Sequence, residues 1–352
     1  MAIGACLSHH VRLGNHMLEK NQYVATLTDK SQVESIFLVK YSSLQTGKTG
    51  KAYLNLVLMD KTGELEARVW DDVPQVASMA VRDAFVWVEG SCQNFQGRKQ
   101  IVVKKLQGLR EDQVKIKDYL KVGEFDSEEQ YKELVAFVHS MKDPYYKALA
   151  ESILIDDEEI VALMKKAPAA KTIHHAYRGG LLEHVVAITK TLDFLSELYS
   201  PFVDRDLLFL GGFLHDLAKI WELSFERSTD YTDAGKLLGH LVMGIELVEK
   251  KVIALDSTSG KLSGKFPEEK KLLVKHMIAS HHGSYAFGSP KEPQCLEAFI
   301  VHAIDDLDSK INSIRKFIEA DTNPGKWTLL HKGMERFFYK PEWARQATEL
   351  NT

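Results

Sequence analysis

His215 and Asp216 lie side by side in Leu207-Leu-Phe-Leu-Gly-Gly-Phe-Leu-His-Asp-Leu-Ala-Lys-Ile220, a stretch otherwise almost wholly apolar. A carboxylate buried in such a segment is expensive to desolvate unless a cation answers it. An imidazole beside a carboxylate suits a divalent first-row ion. Lys219 follows His215 by four residues and Asp216 by three, so on a helix it shares their face and could reach a phosphate oxygen held there. Taken alone, the His-Asp pair also reads as an ordinary capped or salt-bridged helix end. Its company changes that. His184 falls on the apolar face of Leu181 to Leu195, and His240 opens a helical pattern after Gly239. His281-His282 follow the apolar run Leu272 to Ala279, and Asp305 stands in Ala-Ile-Asp-Asp-Leu-Asp. A lone histidine on an apolar face is more often core than ligand. The set His184, His215, Asp216, His240, His281 and Asp305 predicts a metal site.

A divalent ion on such a set lowers the pKa of a bound water and neutralises charge on a phosphate oxygen. Lys219 adds electrostatic stabilisation to the same centre. No Ser or Cys has an activating context, so no protein nucleophile is expected.

The elements that must carry these side chains are helices. From Ser127-Glu-Glu-Gln130, which has the form of a capping box, helical periods recur at 127–141, from Asp143-Pro144, at 157–168, 181–199, 204–221, 236–255, 267–282, 293–320 and 327–338. Residues 256–264, rich in Ser, Gly and Lys, read as an exposed loop. Residues 33–107 read differently. Apolar, β-branched Val33 to Tyr41 leads through a Gly-Lys-Thr loop to Ala52–Asp60, and the period of two in Glu64 to Trp70 marks a half-buried strand. A short helix over 72–80 precedes strands at 85–93 and 100–106. Three strands, a helix and a hairpin is the order of a five-stranded OB-fold barrel. The expected organisation is multidomain α and β: an N-terminal extension (1–25), an OB-fold barrel (26–110), a helical linker region (111–168), an all-α metal-binding domain (169–325) and a C-terminal tail (326–352).

Composition narrows the partners. The 352 residues carry a net charge of −4, which excludes a globally basic nucleic-acid coat, so phosphate contacts must come from local patches or metal. Residues 1–115 hold 15 Lys and Arg against 12 Asp and Glu; the rest hold 30 against 37. Cys6, Cys92 and Cys295 are too far apart for a thiolate metal site or a disulfide framework, which suits a reducing compartment. No apolar run reaches the roughly 20 residues of a membrane span, and the first 20 residues lack a signal peptide's basic start. A cytoplasmic protein without membrane contact is expected; the pattern carries no signal of oligomeric state.

The order H…HD…H…H…D resembles the signature of the HD superfamily of metal-dependent phosphohydrolases. The resemblance implies that His184, His215, Asp216 and Asp305 bind one metal, that Asp216 bridges to a second held mainly by His240 and His281, and that a hydroxide between them attacks phosphorus. Longer strings are similar to one branch, the YhaM-type 3′→5′ exoribonucleases, which join an OB-fold to an HD domain. They are His174-His-Ala-Tyr-Arg-Gly-Gly-Leu-Leu-Glu-His184, Lys275-His-Met-Ile-Ala-Ser-His-His-Gly283, Gly288-Ser-Pro-Lys-Glu-Pro293 with Glu297-Ala298, and Ile304-Asp-Asp-Leu-Asp-Ser-Lys310. Ala218 departs from the glycine usual in HD-x-G-K sequences, though Lys219 is kept. What the resemblance implies is hydrolysis of single-stranded RNA, with single-stranded DNA as a further candidate, to 5′-mononucleotides. The cofactor would be two divalent ions, Mn2+ first, with Co2+, Fe2+, Mg2+ and Ni2+ as alternatives. His174, His175, Tyr177, Arg178 and His282 would line the substrate cleft. For His175 a hydrogen bond that orients a ligand is an equal alternative, and Asp308 is expected behind the ligands rather than among them.

In the barrel, Lys48 and Lys51 lie in an acid-free stretch between Glu34 and Asp60, and Arg98 and Lys99 in another between Glu89 and Glu111, beside Phe95. Basic grooves with interleaved aromatics hold single strands by phosphate attraction and base stacking. The plainer reading is a barrel core with a solvated basic face; it is preferred for Phe37 and Trp87 and evenly balanced for Phe95. Two rivals to the nuclease stand: a phosphodiesterase of cyclic or small nucleotides, and a non-catalytic OB-fold nucleic-acid-binding protein.

Overall fold

The computed structural model describes residues 17–47, 50–95, 97–120, 126–171, 177–225, 228–258, 260–321 and 323–342. The chain divides into two compact units, Met1–Lys121 and Val122–Thr352.

The first unit is a closed barrel of β1 (Gln32–Thr46), β2 (Ala52–Asp60), β3 (Gly63–Val69), β4 (Phe85–Phe95) and β5 (Arg98–Leu109), with α1 (Val73–Met79) between β3 and β4. Strand order is β1-β2-β3-β5-β4, closed by antiparallel β1–β4 pairing; β3 and β5 run parallel. Alternation decides which side chains enter: Leu54, Leu56 and Leu58 of β2 point into the barrel with Phe37, Val86, Val88 and Ile101. Phe37 is buried in the barrel core, as the plainer reading had it; Trp87 is buried too, but in a second cluster with Ile36, Phe85 and Tyr119 rather than in the barrel core. This is the expected five-stranded OB architecture.

The second unit is helical. It comprises α2 (Ser127–Ser140), α3 (Pro144–Leu154), α4 (Glu158–Met164), α5 (Gly180–Leu198), α6 (Arg205–Leu214) and α7 (Lys219–Glu222). A two-residue pair, β6 (Leu223–Ser224) with β7 (Asp230–Tyr231), precedes α8 (Asp233–Leu237), α9 (Gly239–Ser257), α10 (Glu268–Ser280) and α11 (Leu296–Ala320). Among the described residues no helix is long and apolar enough to cross a membrane. Its core gathers Leu181, Leu182 and Val185 of α5, Phe209 and Phe213 of α6, Val248 of α9, Met277 and Ile278 of α10 and Val301 of α11. Helix α6 sits at the centre because it can be approached closely. A Cβ on Gly211 would lie 2.3 Å from Met277 Cε and 3.0 Å from Val301 Cγ2.

Three local expectations are corrected. The cap of α2 is Asp126, whose side chain accepts from Glu128 N, rather than Ser127. The helix expected over 204–221 stops at Leu214 and resumes at Lys219. Between them the bonding tightens to three-residue steps, Leu217 N to Leu214 O and Lys219 N to Asp216 O. Residues 327–338 form no helix. Backbone bonds from Thr328 N to Phe338 O and Lys340 N to Lys326 O fold the segment back on itself, and the buried Lys340–Asp321 pair at 3.2 Å anchors it.

Candidate metal centre

The tightened turn after α6 brings His215 and Asp216 to one place. There they meet His184 from α5, Asp305 from α11, His240 from the first turn of α9 and His281 at the end of α10. His184 Nε2 lies 3.2 Å from His215 Nε2 and 3.2 Å from Asp305 Oδ1. Asp216 divides between two groups. Its Oδ2 is 3.5 Å from His215 Nε2 and 3.9 Å from His184 Nε2, whereas its Oδ1 is 3.4 Å from His240 Nε2 and 3.5 Å from His281 Nε2. Donor atoms of His184, His215, Asp216 and Asp305 all fall within 4.8 Å of one another, as do those of His240, His281 and His282. One carboxylate thus faces two donor sets with different oxygens.

Each imidazole is fixed by what its far nitrogen touches. His215 Nδ1 donates to Gly212 O at 3.1 Å, His281 Nδ1 to Ile278 O at 2.9 Å and His282 Nδ1 to Phe287 O at 3.1 Å. His184 Nδ1 meets Asp308 Oδ2 at 2.8 Å and His240 Nδ1 meets Glu222 Oε1 at 3.0 Å. All five partners are acceptors, so each Nδ1 carries a proton and each Nε2 faces the centre as the nitrogen a cation would take, in His184 by displacing a second proton. Asp308 is itself held by Asn312 Nδ2 at 3.2 Å. Glu222 Oε1 also takes His240 N at 3.1 Å, clamping the ring and its backbone together.

The electrostatics invite positive charge. Burial opposes ionisation of Asp216, but Lys219 and His215 beside it hold its carboxyl well below the usual range. Burial likewise opposes charge on Asp305, and His184 and His215 hold that carboxyl low. For His184 burial is outweighed by the bonds to Asp305 and Asp308 and by the charge of Asp216, and its pKa is pushed up to about 10. Burial keeps His281 and His282 below the ordinary imidazole value, with His281 a second depressing influence on His282. Asp216 Oδ1 and His240 Nε2 are buried without a hydrogen-bond partner among the described residues. Such orphaned donor atoms, imidazole nitrogens and carboxylates together, fit a divalent cation.

Of the residues expected around the metals, Lys219 Nζ sits 2.6 Å from Asp216 Oδ2, paired to the carboxylate. Tyr177 Oη donates to Glu183 at 2.7 Å, and Lys316 lies over its ring. Arg178 lines a cavity of about 570 Å³ with Tyr131, Lys165 and Lys166. His174 and His175 lie outside the described residues, as does Lys48 in the barrel. Two contributors were missed by reading the sequence. Glu222 looked like one charge among many on a helix, and His302, whose Nδ1 donates to His281 O at 2.7 Å, had no motif around it.

In the barrel, Phe95 is 58% exposed, Lys51 pairs with Asp71 at 2.9 Å, and Lys99 donates to Leu27 O. Another cluster lies on the outer face of β2 and β3. Tyr53 and Trp70 stack at 4.6 Å, with the Arg68 guanidinium 5.7 Å from the Tyr53 ring. Asn55 stands opposite Arg68, and their Oδ1 and Nη1 atoms are buried without hydrogen-bond partners among the described residues. The stack depends on strand register, which pairs Leu54 with Val69 and so brings Tyr53 beside Trp70.

Comparison with known proteins agrees with this geometry. Residues 181–310 match the HD domain family and residues 35–109 match a family described as OB-fold nucleic acid binding domain. The chain is 35% identical to a 3′-5′ exoribonuclease YhaM from a Geobacillus species over 88% of this chain and 92% of that one. It is 32% identical to the YhaM of Halalkalibacterium halodurans, over 91% and 96%, and 34% identical to that of Bacillus velezensis, over 88% and 95%.

Proposed function

The chain belongs to the YhaM family of 3′-5′ exoribonucleases, and on that premise we propose that it hydrolyses single-stranded RNA from the 3′ end to 5′-mononucleotides with two divalent ions, Mn2+ foremost. The observation that carries the two-ion reading is Asp216, whose two oxygens face separate sets of imidazole nitrogens. His184, His215, Asp216 and Asp305 would hold one ion; Asp216, His240 and His281 the other, with His282 beside them. Divalent ions there would supply Lewis acidity and charge neutralisation for an in-line displacement at phosphorus.

The chain's own groups do the rest. Asp308 and Glu222 each accept a proton from Nδ1 of His184 and His240, so the Nε2 atoms stay directed inward for a cation to take. Lys219, its ammonium favoured by Asp216 against the cost of burial, would donate to a non-bridging phosphate oxygen and stabilise charge as it builds. The barrel would hold the strand upstream, with Tyr53 and Trp70 as stacking surfaces and Lys51, Arg98 and Lys99 as basic contacts elsewhere on its surface. Single-stranded DNA fits the same groups, and comparison of the two polymers separates them.

End-labelled single-stranded RNA incubated with the protein and Mn2+ should shorten from its 3′ end, and Asp216→Ala should abolish shortening. RNA left intact with Mn2+, Co2+ and Mg2+ alike would overturn the proposal.

A further inference from the structure

Beyond His281-His282 the chain makes a compact turn that the metal chemistry does not use. Tyr285–Phe287 form one turn of 3₁₀ helix, capped by the Ser284 side chain and closed at Gly288, whose φ of +82° permits the exit. Phe287 N donates to Ser284 O, Gly288 N to Tyr285 O and Ser289 N to Ser284 O. The buried Ser289 hydroxyl lies 3.0 Å from Ala279 O, tying the far side of the turn to α10. The turn is joined to the donor set directly, because Phe287 O is the acceptor that fixes the His282 ring. On this fixed backbone Tyr285 and Phe287 are 61% and 74% exposed.

The other chain segment entering this donor set is similar in character. Leu237, 83% exposed, and Leu238 immediately precede Gly239-His240, and the His240 and His282 rings stand 5.2 Å apart. Isolated exposed apolar side chains are ordinary. Here they occupy both turns that bring an imidazole to one side of the centre, and two are aromatic rings on a constrained backbone. A nucleotide whose phosphate rests on the centre carries its base one sugar away. The face of an aromatic ring accepts any base by stacking, without reading its identity.

We propose that Tyr285 and Phe287 form a stacking subsite for the terminal base at the 3′ end of the strand, positioning the scissile phosphate on the metal centre. This rests on the exoribonuclease reading and deepens it. The subsite is tolerant of sequence but requires that a base be present. Tyr285 and Phe287 are positioning residues: no proton or bond of the reaction passes through them.

The test uses two RNA strands of one sequence, 5′-labelled, one ending in an ordinary nucleotide and the other in an abasic one. Wild-type protein should remove the ordinary terminal nucleotide with kcat/KM about ten-fold higher, the order of loss expected for one base stack. In Tyr285→Ala/Phe287→Ala that ratio should fall to near one with the Mn2+ content per chain unchanged, and Phe287→Trp should keep the wild-type ratio. A double variant that still discriminates as wild type does, or a wild type that removes both ends equally, overturns the subsite. Wild-type protein that shortens neither strand overturns the exoribonuclease reading together with it, a result distinct from equal shortening.

Discussion

Replacing Glu222 by Ala should weaken one metal position and spare the other. Glu222 Oε1 accepts from both His240 N and His240 Nδ1, at 3.1 and 3.0 Å, within a buried pocket. Burial disfavours the carboxylate, but His240 holds its pKa below the ordinary glutamate value, so an ionised acceptor meets the ring. A hydrogen bond to a charged group contributes about 1.5–3 kcal/mol, which at about 1.4 kcal/mol per decade corresponds to a loss of roughly ten- to hundred-fold. Removal of groups that orient metal-bound imidazoles falls in the same range, about 10–100-fold. The loss should fall on the ion near His240, His281 and Asp216 Oδ1. The ion near His184, whose own orienting carboxylate is Asp308, should bind as before. Calorimetric titration with Mn2+ resolves this: wild type should bind two ions, and Glu222→Ala should show one unchanged and one weakened transition. Glu222→Gln, which keeps an acceptor but not the charge, should lose less than Ala. Circular dichroism checks that the helices remain. Two transitions indistinguishable from wild type in Glu222→Ala would refute the assignment of Glu222 as the group that holds His240.

Acid stability offers a test in the same unit. Asp143 caps α3 by accepting from Tyr145 N and Tyr146 N and pairs with Lys270 at 2.7 Å; burial opposes its charge, yet Lys270 and the cap hold its pKa below the ordinary aspartate value. A lowered carboxylate pKa contributes stability above the unfolded value of about 3.9 and loses it as pH falls through the folded value. Asp143→Asn keeps a capping acceptor and should therefore lower Tm at neutral pH while converging on wild type in acid; parallel curves would count against the pairing. On the barrel, Trp70→Ala should weaken binding of a single-stranded RNA oligomer about ten-fold or more by losing a stacking surface. Lys51→Ala should cost less, because the Lys51–Asp71 pair already neutralises that exposed ammonium. Fluorescence anisotropy measures both, and an unchanged Trp70→Ala would remove the β2–β3 face from the strand's path.

Much of this molecule was readable from side-chain type and order alone. The period of two in β3 and the apolar run of β2 specify strands, because each pleat must bury one face. The run around His215-Asp216 specifies a buried segment that only a cation could make tolerable, and its partners stood out as polar residues on apolar helical faces. What tertiary packing decided is how those groups meet. Asp308 reaches His184 across 124 positions of sequence and Glu222 reaches His240 across 18, distances at which no helical or strand period operates. The break between α6 and α7 is likewise set by packing. Apolar spacing continues through it, but the three-residue bonding at 215–218 places both His215 and Asp216 inward. Residues 327–338 show the converse, where helical spacing yields to the buried Lys340–Asp321 pair. In the barrel, register and not composition joined Tyr53 to Trp70 and Lys51 to Asp71. Residue chemistry follows from covalent structure and survives any fold. The division of one carboxylate between two donor sets is a matter of ångströms, and those are set only when five helices and the turns between them pack together.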